Sequence, residues 1–347
     1  MPANHPSRRE FLHGVSGAGA LLGLSRMARG MRQEPVQQEP ALEHRRFGKT
    51  DMKVAILGFG GAEIGFEGIE QAAVDKLLGA ALDAGLNVVD TAECYVDSEV
   101  QIGAAIAQRR KDFFLFTKTG HVLPSGENGS TWSKEGITAS LERSLKRLKT
   151  DAVDLFQLHS CSLEELQKGE CIAALEELKK AGKTRYIGYS GDSKAARYAI
   201  ECGRFDALQT SINIADQECL ELTLPLARNK GMGVIAKRPI ANVAWRYDAK
   251  PDNGYHQEYW RRLQELKYDF ATGDARARQD ADGAAGIAMR FTAMQPGVHV
   301  LIVGTTKPER WKQNADLLRA GPLAPELEAS IRAIWKATAK PEWTGQI

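Results

Sequence analysis

From Leu42 onward, short β-branched or aromatic runs alternate with stretches whose apolar residues recur every three or four positions. The runs are Val54–Gly58, Asn87–Asp90, Phe113–Thr117, Val153–Leu158, Arg185–Gly188, Ala207–Gln209, Gly233–Ala236 and Val298–Val303. Between them, Val74, Leu77, Leu78, Ala81 and Leu82 fall at i, i+3, i+4, i+7 and i+8, with Gly85 as a stop signal just beyond. Ile137, Leu141, Leu145 and Leu148 repeat the spacing, as do Leu166, Leu175 and Leu178 up to Gly182. Strands that are apolar on consecutive residues are buried on both faces. Each followed by a helix, they predict an α/β fold with a parallel sheet under helices. Eight such units over about 300 residues suit a closed (β/α)8 TIM barrel in one domain. The open, doubly wound alternative would carry G-x-G-x-x-G after its first strand. Here that strand runs out through Gly58-Phe59-Gly60-Gly61-Ala62-Glu63, without the third glycine.

Two regions depart from this rhythm. Residues 241–286 form a long insertion rich in aromatics, including Trp245, Tyr247, Tyr255, Tyr259 and Trp260. A long loop after a barrel strand sits at the catalytic mouth, so the segment reads either as a substrate lid or as a helical excursion packed on the wall. The second region is residues 1–40. Ser7-Arg8-Arg9-Glu10-Phe11-Leu12 precedes a weakly apolar, glycine-rich run from Val15 to Leu24, then a polar Gln/Glu/Pro stretch. Paired arginines ahead of Phe-Leu predict a twin-arginine-type signal peptide and linker over 1–40, with the barrel over 41–347. Glycines at 14, 17, 19 and 23 make the run too weakly hydrophobic for stable membrane insertion. The expected partner is the twin-arginine export machinery and the location periplasmic or otherwise exported, or cytoplasmic if the signal is not used.

Charge narrows the function. The 46 Lys and Arg against 44 Asp and Glu leave a net charge of +2. That balance makes no broad positive field, which disfavours a nucleic-acid partner. The five cysteines are scattered and none lies in C-x-x-C, which argues against a disulfide framework or a thiolate zinc site. The seven histidines supply no H-x-H pair for a metal-dependent hydrolase, so no metal is expected.

Barrel chemistry is done at the C-terminal ends of strands. The second run ends in Asp90, Lys118 directly follows the third and His159 the fourth, with Tyr95 in the loop five residues past Asp90. An acid, an amine, an imidazole and a phenol therefore emerge at one face. An ammonium beside a carboxylate keeps its charge, and a phenol beside that ammonium is expected to ionise more easily. Tyr95 would then donate a proton and His159 would hydrogen-bond a carbonyl oxygen. Proton delivery to a carbonyl without a metal or nucleophile calls for a hydride donor at the carbon. His121 is a further candidate for the mouth, and Cys94 beside Tyr95 suggests sensitivity to oxidation.

Three stretches carry a family resemblance. Asp90-Thr91-Ala92-Glu93-Cys94-Tyr95-Val96-Asp97-Ser98-Glu99 with Ile102-Gly103 is the first. The second is Ser144-Leu145-Lys146-Arg147-Leu148 with Asp151 and Asp154-Leu155-Phe156-Gln157-Leu158-His159. The third is Val303-Gly304-Thr305-Thr306-Lys307-Pro308-Glu309-Arg310 with Gln313 and Asn314. From about Arg45 to Leu318 the chain resembles an aldo-keto reductase. The resemblance implies a catalytic tetrad of Asp90, Tyr95, Lys118 and His159, with Tyr95 as proton donor. It also implies NADP as cofactor, NAD being the alternative, and a small carbonyl or alcohol substrate. It assigns Thr305 and Arg310 to the 2′-phosphate, with Lys307 beside them, and Gln313 and Asn314 to the adenine. A helix beginning near Pro308 suits that phosphate on its own account, through exposed N–H groups and a bidentate arginine.

Ser190, Gln209 and Asn213 fall where the family binds the nicotinamide amide. Three departures stand out. The usual serine-asparagine pair is Ser190-Gly191, Gly304 replaces a lysine common in relatives, and Lys237-Arg238 replaces a stacking tyrosine. Lys237 or Arg238 is expected to contact the pyrophosphate instead. The rival reading on the same scaffold is a non-catalytic nucleotide-binding sensor, which an intact tetrad disfavours. A signal for export beside a site for a cytoplasmic nucleotide predicts that the protein folds on its cofactor before transport and keeps it.

Overall fold

The computed structural model describes residues 41–121 and 132–346. The signal expected over 1–40 and most of the loop at 120–133 lie outside the described residues. A hairpin comes first, with β1 (His44–Arg46) antiparallel to β2 (Lys53–Ala55). Eight parallel strands follow: β3 (Leu57–Gly60), β4 (Val88–Asp90), β5 (Phe114–Thr119), β6 (Val153–His159), β7 (Thr184–Ser190), β8 (Ala207–Ser211), β9 (Gly233–Lys237) and β10 (Val300–Gly304). Each pairs with the next, and β10 pairs with both β9 and β3, so the sheet closes into the expected barrel.

The first predicted strand is in fact two. Val54–Gly58 straddles a break at Ile56, before it the hairpin and after it the barrel. An unbroken apolar run hid the break because both sides are buried, one against the barrel floor and the other in its wall. Phe47, Met52 and Val54 plug the lower end of the barrel, packed with Val88, Phe116, Leu155, Ala207, Ile235 and Val300. The larger core lies between the strands and the helices around them. Likewise, the helix read through Leu166, Leu175 and Leu178 is two, Leu163–Lys168 and Glu170–Lys180. Gly169 takes φ 79° between them, a left-handed turn that ends the first helix.

The insertion divides by residue. It begins as a 3-10 turn (Ala241–Arg246), continues as the helix Gly254–Leu266 and two short 3-10 turns, and leads into the helix Ala284–Ala293. Trp245 and Tyr259 are buried on the wall, whereas Tyr255 is half exposed, with the Arg238 guanidinium 5.7 Å from its ring centre. Among the described residues no helix is long and apolar enough to cross a membrane.

Candidate active site

Asp90 closes β4 and Lys118 lies near the end of β5, both about 1% exposed. Lys118 Nζ donates to Asp90 Oδ1, and also to the Thr91 carbonyl at 2.7 Å. Gln157 on β6 donates to Asp90 Oδ2 at 3.4 Å. Tyr95 stands over this pair, its ring centre 5.1 Å from Lys118 Nζ. The His159 ring meets it edge-on at 5.8 Å, and His121 meets His159 edge-on at 4.3 Å. Phe66, largely exposed, packs 5.7 Å from Tyr95 on the outer side. All four expected groups therefore gather at the C-terminal rim of the barrel.

The electrostatics differ from the expectation for Tyr95. Burial, helped by the Asp90 charge, pushes its phenol well above the usual range. Burial raises the Asp90 carboxyl as well, against the pull of the Lys118 ammonium. Burial pushes the His159 imidazole well below its ordinary value, with the Lys118 charge acting in the same direction. At neutral pH the site thus presents a neutral phenol and a neutral imidazole, each a hydrogen-bond donor. Burial also raises the Cys94 thiol to about 11, although its sulfur lies 3.6 Å from His159 Nδ1. That thiol stays protonated, which makes it a poor nucleophile toward oxidants.

Beside the tetrad, Ser190 Oγ is buried with no hydrogen-bond partner among the described residues, and the buried Gln209 amide, which faces Asp90, makes no hydrogen bond of good geometry there. Buried polar groups are nearly always paired. An acceptor and donors left open at the ends of β7 and β8 fit a ligand carrying a primary carboxamide. Asn213 is different: it donates to the Arg238 carbonyl and accepts from the Ala215 N–H, so its amide is taken up by the turn. Among the described residues no group of three or more His, Cys, Asp or Glu is placed to hold a metal ion.

A model of the aldo/keto reductase family matches residues 56–336. The chain belongs to the aldo/keto reductase family. It is 28% identical over 314 residues to an uncharacterized oxidoreductase of Bacillus subtilis, YqkF, covering 86% of this chain and 97% of that protein. L-galactose dehydrogenase of Arabidopsis thaliana is 27% identical, covering 79% and 87%. Among solved structures, the holo form of aldo-keto reductase AKR11C1 from Bacillus halodurans superposes with a TM-score of 0.74 at 27% identity. That match covers 87% of this chain and 99% of that one.

Aldo/keto reductases work with a nicotinamide cofactor, and the remaining candidates form two groups. At the mouth, Lys237 pairs with the buried Asp192 at 2.8 Å and donates to the Gln346 carbonyl at 3.0 Å. Arg238 donates to the same carbonyl. The tail of the chain therefore holds both cations. Gly191 has a local cause: a Cβ there would lie 2.4 Å from the Tyr189 hydroxyl, which donates to the Cys161 carbonyl. An asparagine does not fit beside that tyrosine.

The second group follows β10. Thr305 Oγ1 accepts from the Lys307 N–H at 3.1 Å, and Arg310 Nη1 donates to Gln279 at 3.1 Å. Arg310 opens the helix Arg310–Arg319, whose first turn no side chain caps among the described residues. Gln313 is exposed and Asn314 buried on it. Gly304 leaves room that Glu63 fills: a Cβ at 304 would overlap Glu63 Oε2 at 1.5 Å. Burial pushes the Glu63 carboxyl up. Glu63, Gln157 and Asp192 escaped the sequence reading. Glu63 follows β3 outside any motif, Gln157 sits inside the apolar β6, and Asp192 lies past the recognised Ser190.

Proposed function

We propose that this reductase interconverts an aldehyde or ketone and an alcohol, with NADP as cofactor and Tyr95 as proton donor. The observation that carries the proposal is the buried Lys118–Asp90 pair lying under a neutral phenol, with a neutral imidazole against the same ring. When bound, the reduced nicotinamide would supply a hydride to the carbonyl carbon. Ser190 and Gln209 are suited to hold its carboxamide. Thr305, Lys307 and Arg310 are suited to the 2′-phosphate, and Gln313 and Asn314 to the adenine. Gly304 opens that segment, and Lys237 and Arg238 reach a pyrophosphate only by releasing the Gln346 carbonyl.

On this reading, Tyr95 gives its hydroxyl proton to the carbonyl oxygen as negative charge develops there. Lys118, 5.1 Å from the ring centre, favours the phenolate left behind by its charge, against the burial that opposes ionisation. Asp90 keeps Lys118 charged and in place. His159 donates its ring N–H to the substrate oxygen and orients it. Following absorbance of NADPH with a panel of aldehydes tests the proposal. Wild type should turn over, and Tyr95→Phe should be slower by about 10²–10⁴-fold while binding nucleotide equally well. Equal rates would remove Tyr95 from the chemistry.

For the first forty residues we propose a twin-arginine signal, with the nucleotide bound before export and retained. Denaturing the exported form should release stoichiometric NADP, and a substoichiometric yield would exclude retention.

A further inference from the structure

The spacing of Cys161 and Cys171 in the sequence points to no disulfide framework. Their placement suggests more. Cys161 lies two residues past His159, where the chain leaves β6, and Cys171 is the second residue of the helix Glu170–Lys180. Their sulfurs are 3.9 Å apart, and both residues are about 1% exposed. The chain between them is the six-residue helix Leu163–Lys168 and the left-handed Gly169, which turns it back on itself. Cys171 Sγ also donates to the Glu165 carbonyl at 3.6 Å, and the other three thiols have no sulfur partner among the described residues. Cys94 faces His159, Cys202 donates to the Ala199 carbonyl and Cys219 to the Ser211 carbonyl.

We infer that Cys161 and Cys171 form an internal disulfide when the folded protein meets a small disulfide oxidant such as oxidised glutathione. The fold already brings the sulfurs to 3.9 Å, so closure asks for an approach of about 2 Å between the two side-chain ends. A shared S–H···S bond also draws the Cys171 thiol down. That favours Cys171 as the attacking thiolate, with Cys161 as the resolving thiol.

The steps balance. The Cys171 thiolate attacks one sulfur of the oxidant, whose S–S bond breaks and releases one glutathione. Cys161 loses its proton and attacks the Cys171 sulfur of the mixed disulfide, releasing the second glutathione. Two protein thiols are oxidised and one disulfide is reduced to two thiols. Since both sulfurs are buried, the oxidant reaches them through local opening of the Leu163–Lys168 helix, most of which faces solvent. The bond would staple the exit of β6, next to His159, to the following helix. It is independent of the proposed reaction.

The full chain is incubated with oxidised glutathione, blocked with N-ethylmaleimide in denaturant, and digested without reduction for mass spectrometry. The expected result is a cross-linked peptide pair containing residues 161 and 171, two fewer blocked thiols, and a Tm raised by about 4 °C. Dithiothreitol should reverse all three. Cys202→Ser should retain the cross-link and Cys171→Ser should lose it. Full blocking of both cysteines in oxidant-treated wild type would overturn the inference, as would a stable glutathione adduct at either one or loss of the cross-link in Cys202→Ser. The wild-type mapping decides the matter even if Cys171→Ser fails to fold.

Discussion

The phenol of Tyr95 stands over an ammonium paired with a buried carboxylate, and that pair governs how the site responds to substitution. Lys118→Met would leave Asp90 buried without its cation. The expected cost is about 3 kcal/mol of stability, read by urea unfolding at pH 7, together with loss of turnover. Adding Asp90→Asn removes the stranded charge. The double variant should therefore regain most of the stability and none of the rate, whereas recovery of turnover would separate Lys118 from catalysis. A second residue-scale prediction concerns His299. Burial, and then the charge of Arg45, lower its imidazole from 6.5 to about 4. Its Nδ1 accepts from the Val234 N–H at 3.0 Å, a bond that protonation would break. Above pH 6.5 both the folded and unfolded states carry it neutral. From there down to about pH 4 the unfolded chain takes up a proton that the folded state refuses, so stability falls as the pH drops. The loss should be about 2 kcal/mol after allowing for partial exposure. His299→Asn keeps an acceptor without a titrating ring, so its unfolding free energy should change less between pH 7 and pH 4.

Between elements, close approach explains residues that a motif only records. Gly103 sits in the first signature stretch with no chemical role. In the structure its missing side chain lets the helix Ser98–Ile106 press against Lys134–Leu148, and a Cβ there would come within 2.2 Å of the Arg147 carbonyl oxygen. Backbone cannot give way as a flexible side chain does. Gly103→Ala should therefore cost about 2 kcal/mol or more in thermal unfolding. The contact at Gly304 is of the other kind, since the atom in the way is the free end of Glu63. At the level of elements, periodicity was a good guide to which segments are strands or helices and a poor guide to where they break. Ile56 and Gly169 mark the two missed joints. Ile56 interrupts a run that is apolar on both sides, so its change of direction leaves no trace in hydropathy, whereas Gly169 lies between Lys168 and Glu170 and the leucine pattern was carried across it.

For the molecule as a whole, the hairpin ahead of the barrel acts as its floor. Phe47 is fully buried, 5.7 Å from Phe116 inside the strands, and Gly233 lacks a side chain where a Cβ would lie 2.3 Å from the Phe47 ring. Phe47→Ala would open a cavity at the end opposite the mouth. It should lower the unfolding free energy by about 3–5 kcal/mol in urea, with KM for substrate little changed. The sequence alone determined the α/β class, the eight-unit alternation and the four chemical groups. Burial pattern and strand-end position are local properties that survive in one dimension. Only the tertiary structure decided their electrical states, because the acidity of Tyr95 depends on burial and on the nearness of the Asp90 charge. Tertiary packing also decided the engagement of Lys237 and Arg238 by a carbonyl over one hundred residues away, the filling of the Gly304 vacancy by Glu63, and the meeting of two sulfurs. Each arises from the separation in space of groups whose separation along the chain says nothing about it.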